Sequence, residues 1–153
     1  MPAATEAMTS AGSTVSISAT LPASLTKTAY AALTYTEIGE ITDGGSVGRT
    51  YNLVSHSPLA TRGTVQKKGS FSDGTVTLQA AYAPGDAGQV LVQTALNDDE
   101  YYAFAEELQD GTIIYYQAQV TSAPVNVGGV DSITGTTITL AVKSGSIVFA
   151  YPA

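Results

Sequence analysis

The chain has no cysteine, no tryptophan, one histidine, and six basic residues against thirteen acidic ones. Without cysteine there is no disulfide framework, no thiolate nucleophile and no cysteine-ligated metal. A formal charge of -7 with so few cations argues against gripping a phosphate backbone, which requires clustered Lys and Arg. No apolar run approaches the roughly 20 residues of a membrane-spanning helix, so no membrane partner is expected. The opening residues, MPAATEAMTS, have neither a basic start nor an apolar stretch, so a secretory leader is not expected there.

What is present points to a β-rich domain. A length of 153 residues suits one domain with its own core, and fifteen glycines and six prolines punctuate short apolar runs. Residues 1–13 are small and polar, without periodicity, and read as a frayed end or as an arm that orders against a neighbour. Residues 14–19 alternate as a first strand. Ser24 to Leu33 allows a short helical turn, and Tyr35 to Thr42 reads as a second strand. Residues 75–81 alternate plainly, with Val76, Leu78 and Ala80 on one face and Thr75, Thr77 and Gln79 on the other.

Asp86 followed by Gln89 resembles a capping box, so a helix is expected over 86–97, with Ala87, Val90, Leu91, Thr94 and Ala95 at helical spacing. Gly88 inside that helix costs about 1 kcal/mol relative to alanine, so packing must hold it. Residues 100–109 and 112–120 form strands joined at Asp110-Gly111, a dipeptide that suggests a type I′ hairpin turn. Residues 121–131 form a loop, 133–142 a strand with Ile138, Leu140 and Val142 inward, and 146–151 a last strand. The polar faces of these strands carry Thr, Gln, Ser and Ala rather than Lys or Glu. Exposed sheet faces are ordinarily charged, partly against edge pairing, so this surface is either that of a low-charge sandwich or a face with another use.

The segment from Asp43 to Asp73 stands apart. Residues 44–72 contain no acid and carry Arg49, Arg62, Lys67 and Lys68, with no helix-period apolar face and no long strand alternation. A compact domain rarely keeps so long a connection without a use for it. Its charge is opposite to that of the rest of the chain, so it is expected to reach the acidic surface of another copy.

Catalytic constellations are missing. His56 has no G-x-S-x-G nucleophile elbow to serve. Asp98-Asp99-Glu100 lacks the D-x-D-x-D-G spacing of a calcium loop and reads as a solvated turn. Glu106 and Glu107 are adjacent on a strand and point to opposite faces, which rules out a carboxylate pair. PGDAGQ lacks the Lys-Ser/Thr of a phosphate loop. No enzyme activity, cofactor or metal is expected.

Several pieces in order carry a family resemblance: Glu37-Ile38-Gly39-Glu40-Ile41 leading into Asp43, Asp73-Gly74 leading to the helix through Asp86-Ala87-Gly88, and Val130-Asp131-Ser132-Ile133-Thr134-Gly135 before the late strand. Over roughly residues 28–145 the chain resembles the major tail tube proteins of long-tailed bacteriophages with non-contractile tails. The resemblance implies a mainly β fold, a two-sheet sandwich or barrel with one flanking helix, the long basic loop and extended termini. It also implies six copies in a ring, with rings stacked head-to-tail into a hollow tube sharing one β-barrel.

The long segment 43–73 would then contact the next ring through Arg49, Tyr51, Arg62, Lys67 and Lys68. Partners would be the chain itself, a tape measure protein in the lumen, and tail terminator and distal tail proteins at the ends. DNA would pass without specific binding, along a wall expected to combine Glu and Asp with Thr and Gln. The protein would reside in the virion, and in the host cytoplasm before assembly. Two rivals stand beside this reading. One is a tube subunit of a bacterial secretion or injection device. The other is a monomeric β-sandwich binding module, which would need an aromatic platform.

Overall fold

The computed structural model describes residues 3–152. The expected mainly β fold is present: eleven strands and two short helices, with nine strands in one curled sheet and two in a separate hairpin. The strands are β1 (Thr14–Ser18), β2 (Thr36–Glu37), β3 (Ile41–Asp43), β4 (Thr50–His56), β5 (Val65–Ser72), β6 (Thr75–Ala81), β7 (Tyr102–Glu107), β8 (Ile113–Ser122), β9 (Val125–Asn126), β10 (Gly135–Val142) and β11 (Val148–Ala150). The helices are α1 (Lys27–Ala31) and α2 (Ala87–Leu96). The main sheet runs β2-β1-β7-β8-β10-β6-β3, with β11 added to β8 and β9 to β10.

The strand expected over Tyr35–Thr42 is two strands, and they lie on opposite edges of the sheet. β2 pairs β1, and β3 pairs β6 at the other end of the strand order. Only Ile38, Gly39 and Glu40 lie between them, so the sheet must curl until its two edges nearly meet. Ile38 N–H still donates to the Val15 carbonyl (2.8 Å), and the Glu40 carbonyl accepts from Ala81 N–H (2.9 Å). Glu40 makes the crossing with φ 61°, a left-handed conformation uncommon outside glycine.

The inner face of this curl holds the main core: Val15, Ile17, Val76, Leu78, Phe104, Tyr116, Ile138 and Leu140 from five neighbouring strands, with Val92 and Ala95 of α2 closing it. Phe104 and Tyr116 are cross-strand partners with rings stacked 5.5 Å apart. A smaller cluster lies on the other face of β7 and β8, where Tyr30 of α1 stacks on Tyr115 at 5.2 Å and its hydroxyl donates to the Ser146 carbonyl. Strands β7 and β8 are thus covered on both sides near the β7–β8 turn. The alternation expected for β6, β8 and β10 is the observed one.

Two local expectations change. The turn at Asp110-Gly111 is not type I′, since Gly111 alone has positive φ (94°). Gly111 N–H donates to the Leu108 carbonyl and Leu108 N–H to Thr112, which is a type I turn closed by a left-handed glycine. The turn also holds the N-terminal segment, because Ala4 N–H donates to Asp110 Oδ2 at 3.0 Å. The helix α2 is where it was expected, but it buries Gly88, Gln89, Val92 and Ala95, and Val90 is exposed. Its buried stripe is rotated because Gly88 lies directly on the strand crossing.

A side chain on Gly88 would collide with the Glu37 carbonyl and come within 2.5 Å of Ile38 Cα, both backbone atoms. Alanine there gains about 1 kcal/mol of helix propensity but forces α2 off the crossing. Gly88→Ala is expected to destabilise the fold by about 2 kcal/mol net, as overpacking does, read as a lower urea midpoint with unchanged slope.

Candidate assembly interface

The capping pair Asp86 and Gln89 does more than begin a helix. Asp86 Oδ2 accepts from Gln89 N–H (3.0 Å), the expected cap, and from Gly39 N–H (3.0 Å) in the strand crossing. The Gln89 side chain does not return to the cap as in a full capping box. Its Oε1 accepts from Ala83 N–H, and its Nε2 donates to the Gly39 and Ala81 carbonyls. These two residues tie the helix to the strand crossing and to the end of β6. They fix the body from which the hairpin of β4 and β5 projects.

The segment expected as an irregular loop is a β-hairpin, β4 paired with β5. Neither strand has a buried residue. Pairing steps from Tyr51↔Phe71 to Leu53↔Lys68, so β5 carries one extra residue, a bulge around Gly69-Ser70. Gly69 allows it, since a Cβ there would come within 2.9 Å of Val54 Cγ2. Leu53, Val54 and Phe71 are left in solvent, and Leu59 at the tip is completely exposed. A two-stranded ribbon without a covered face is marginal in water. It has the composition of a contact surface.

The five residues expected to make contact divide along the hairpin. Arg49 lies at the root: its Nε donates to buried Asp73 Oδ1 (3.1 Å) and its guanidinium lies 4.0 Å above the Phe71 ring. The other Asp73 oxygen accepts from Gly145 N–H at 2.7 Å, which fixes the root to the body. Tyr51 packs on Phe71, and Lys68 Nζ lies 4.8 Å from the Tyr51 ring centre. Arg62 and Lys67 make no hydrogen bond or ion pair among the described residues, and both are exposed. Arg49 therefore anchors the hairpin, while the outward charge belongs to Arg62, Lys67 and Lys68.

A second surface is flat and neutral. Thr75, Thr77 and Gln79 of β6 lie beside Ala141, Thr139 and Thr137 of β10, and Gln119 of β8 pairs with Ala141. No charged side chain is among them. Thr137 Oγ1 is 3.1 Å from Gln79 Oε1, and Thr121 Oγ1 donates to the Thr139 carbonyl. Here the outer face of the sheet is bare, in contrast to the part covered by α1 and β11. A third exposed feature is the loop around β9, which presents Val125, Val127, Val130 and Ile133 to solvent.

Sequence reasoning considered Glu106 only as half of an excluded carboxylate pair and missed its burial. It alternates with Tyr102 and Phe104, so it points to the core face, and it is 7% exposed at the open end of the curl. Glu107 beside it is exposed, as expected for neighbours on a strand. Burial pushes the Glu106 carboxyl up to about 7. His56 lies on the exposed hairpin, Asp98–Glu100 form an exposed turn, and no cluster among the described residues could hold a metal ion. Tyr102, Tyr115 and Tyr116 are packed inside and offer no aromatic platform.

No protein-family model matches the sequence, and no curated protein does. Solved structures do. A chain of the anti-feeding prophage baseplate superposes with a TM-score of 0.69 at 11% identity, over 96% of this chain and 97% of that one. A chain of the SPP1 tail tube gives 0.67 at 15% identity, over 92% and 77%. A chain of the tail of an empty gene transfer agent particle with C6 symmetry gives 0.61 at 13% identity, over 91% and 96%. The fold is that of tail-tube proteins. These neighbours are chains of a baseplate, a tail tube and a particle tail.

The Glu106 carboxyl gives a pH signature. Its folded-state pKa lies above its ordinary value of 4.5, so the folded state binds the proton more tightly. Its favourable contribution is complete below about pH 4.5 and is lost as pH rises through about 7, on the order of 3 kcal/mol in total. Tyr116 lies close to the same group, Asp43 and Glu107 line the same cleft, and all three stay in place in Glu106→Gln. That variant is expected to show a flatter dependence of chemical-denaturation stability between pH 4.5 and 8, with its gain over wild type at the alkaline end.

Proposed function

We propose that the chain is the tube subunit of a flexible phage tail, assembling as six-membered rings that stack into a hollow conduit for DNA. The observation that carries this reading is the hairpin: a projecting, uncovered β-ribbon that holds most of the cations of an acidic chain, built on a tail-tube-like fold. Apart from the hairpin there are thirteen acids and only Lys27 and Lys143, so the natural counter-surface is another copy. A contact between unlike surfaces does not close on itself and propagates along an axis. Isolated surface ion pairs are worth about 0–1 kcal/mol each, so charge sets register while the exposed Leu53, Val54 and Leu59 and the β9 loop supply apolar contact. Six-fold rings accord with the C6 symmetry of the gene transfer agent tail.

In this reading the bare Thr and Gln face of β6, β10 and β8 lines the lumen. It differs from the expected acidic wall in holding no carboxylate among the named positions. It equally lacks the Lys and Arg that would hold a phosphate backbone. A tape measure protein occupies the lumen during assembly, and terminator and distal tail proteins bind the ends. The subunit resides in the virion after a soluble stage in the host cytoplasm.

A second reading has its own support, because the anti-feeding prophage and an extracellular contractile injection system also contain chains of this fold. There the same tube would carry protein cargo. Recovery of the chain from DNA-containing particles distinguishes the two.

Negative-stain microscopy of the concentrated wild-type protein should show hollow tubes, whereas a sample that stays monomeric refutes the proposal. The triple variant Arg62→Glu, Lys67→Glu, Lys68→Glu should keep the wild-type circular dichroism spectrum and melt but form no tubes. Normal tubes from it would remove the hairpin from the mechanism. Thr77→Lys with Thr139→Lys should still assemble, while particles carrying it should lose infectivity about tenfold or more through phosphate retention on the wall. Unchanged infectivity would show that the face is not luminal.

A further inference from the structure

At the open end of the curled sheet lies a cleft of about 390 Å³, bordered by Ser13, Asp43, Gly44, Glu106, Glu107 and Leu108. Three of these residues are acidic, although Glu107 turns its side chain to the other face of β7, and no Lys or Arg lines the cleft. Glu106 is the decisive member. It is more than nine-tenths buried, it faces the cleft, and among the described residues no donor or cation meets its carboxyl. Its Oε1 lies where Gly44 leaves room, since a Cβ on Gly44 would come within 3.1 Å of it. The Ser13 hydroxyl on the same wall is also buried without a partner. The Glu106 carboxyl thus opens only toward the cleft, and the buried Ser13 hydroxyl has no protein partner, which is costly unless one arrives.

We propose that this cleft is the socket for the hairpin tip of a second copy, with Arg62 as the cation that enters beside Glu106. The inference rests on the stacking role proposed above and names its receiving site. Charge complementarity selects the occupant, because the hairpin carries the densest group of cations in the chain and Arg62 at its tip is exposed and unpaired among the described residues. Length excludes the chain's own hairpin. The cleft includes Asp43 and Gly44, just before the hairpin root at Arg49, while Arg62 lies at the far end. The eight residues of β5 span roughly 25 Å at about 3.3 Å each, so the tip lies about a strand's length from the hairpin root next to its own cleft. Tip into root cleft, repeated, generates an axial filament. A guanidinium suits the site because it can bond a carboxylate through two N–H groups and a neighbouring hydroxyl with a further contact.

The test uses the full chain. In sedimentation assays at pH 7.5 and low salt, Glu106→Gln and Arg62→Gln should each raise the critical concentration for tube formation about tenfold or more. The double variant should be no worse than the weaker single variant, since both remove one contact. Additive effects, or wild-type assembly by Glu106→Gln, would overturn the socket. A second measurement is independent of how well those variants fold. The chain has no cysteine, so Thr42→Cys at the cleft with Thr61→Cys beside the tip gives an unambiguous pair. Oxidised tubes of the double-cysteine protein should yield a ladder of covalent multimers, and each single variant none beyond dimer. Tubes without a ladder would overturn the socket and leave stacking intact, whereas a wild-type chain that never polymerises would overturn both.

Discussion

The Asp86 carboxylate holds two backbone N–H groups at once, one in its own helix and one in the crossing between the two edges of the sheet. Gln89 ties the carbonyls on either side, and Gly88 lets the helix lie against the crossing itself. These few bonds decide that a nine-stranded sheet curls into a nearly closed shell rather than spreading flat. An open sheet of this size would leave two edges of unpaired N–H and C=O groups. Here the edges are joined by three residues, and the buried polar groups of the crossing are satisfied by the helix. The inner core, the neutral outer face and the cleft at the mouth all follow from that closure.

Much of the body could be read from the amino acids alone. Strands β6, β8 and β10 alternate cleanly because each has one face in the main core, and a period of two is what burial on one side imposes. The split between β2 and β3 left no such mark. Its pivot is Glu40 in a left-handed conformation, which nothing in the residue type announces. The hairpin was hidden for the opposite reason: neither of its faces is buried, so no apolar period is needed, and the bulge near Gly69 disrupts what alternation there is. The face of α2 was misjudged because its closest contact is made by a glycine and its most connected side chain is a glutamine.

The candidate site was legible in charge and obscure in geometry. The gathering of cations between Asp43 and Asp73 marks the hairpin in any reading of the chain. That Arg49 stays at the root against Asp73, and that Arg62 and Lys67 face outward, depends on strand register. Glu106 could have been found by parity with Tyr102 and Phe104, but a carboxylate is not expected on a core face. Its burial makes sense only at the mouth of the curl, where the strand leaves the core.

Thr137 and Thr121 on the bare face engage their hydroxyls inside the sheet, on Gln79 and on the carbonyl of Thr139. What they turn outward is correspondingly rich in methyl groups. Water against such a surface is held by fewer directional bonds. The consequence is a surface on which these two hydroxyls are turned sideways, into the sheet, and not toward the solvent.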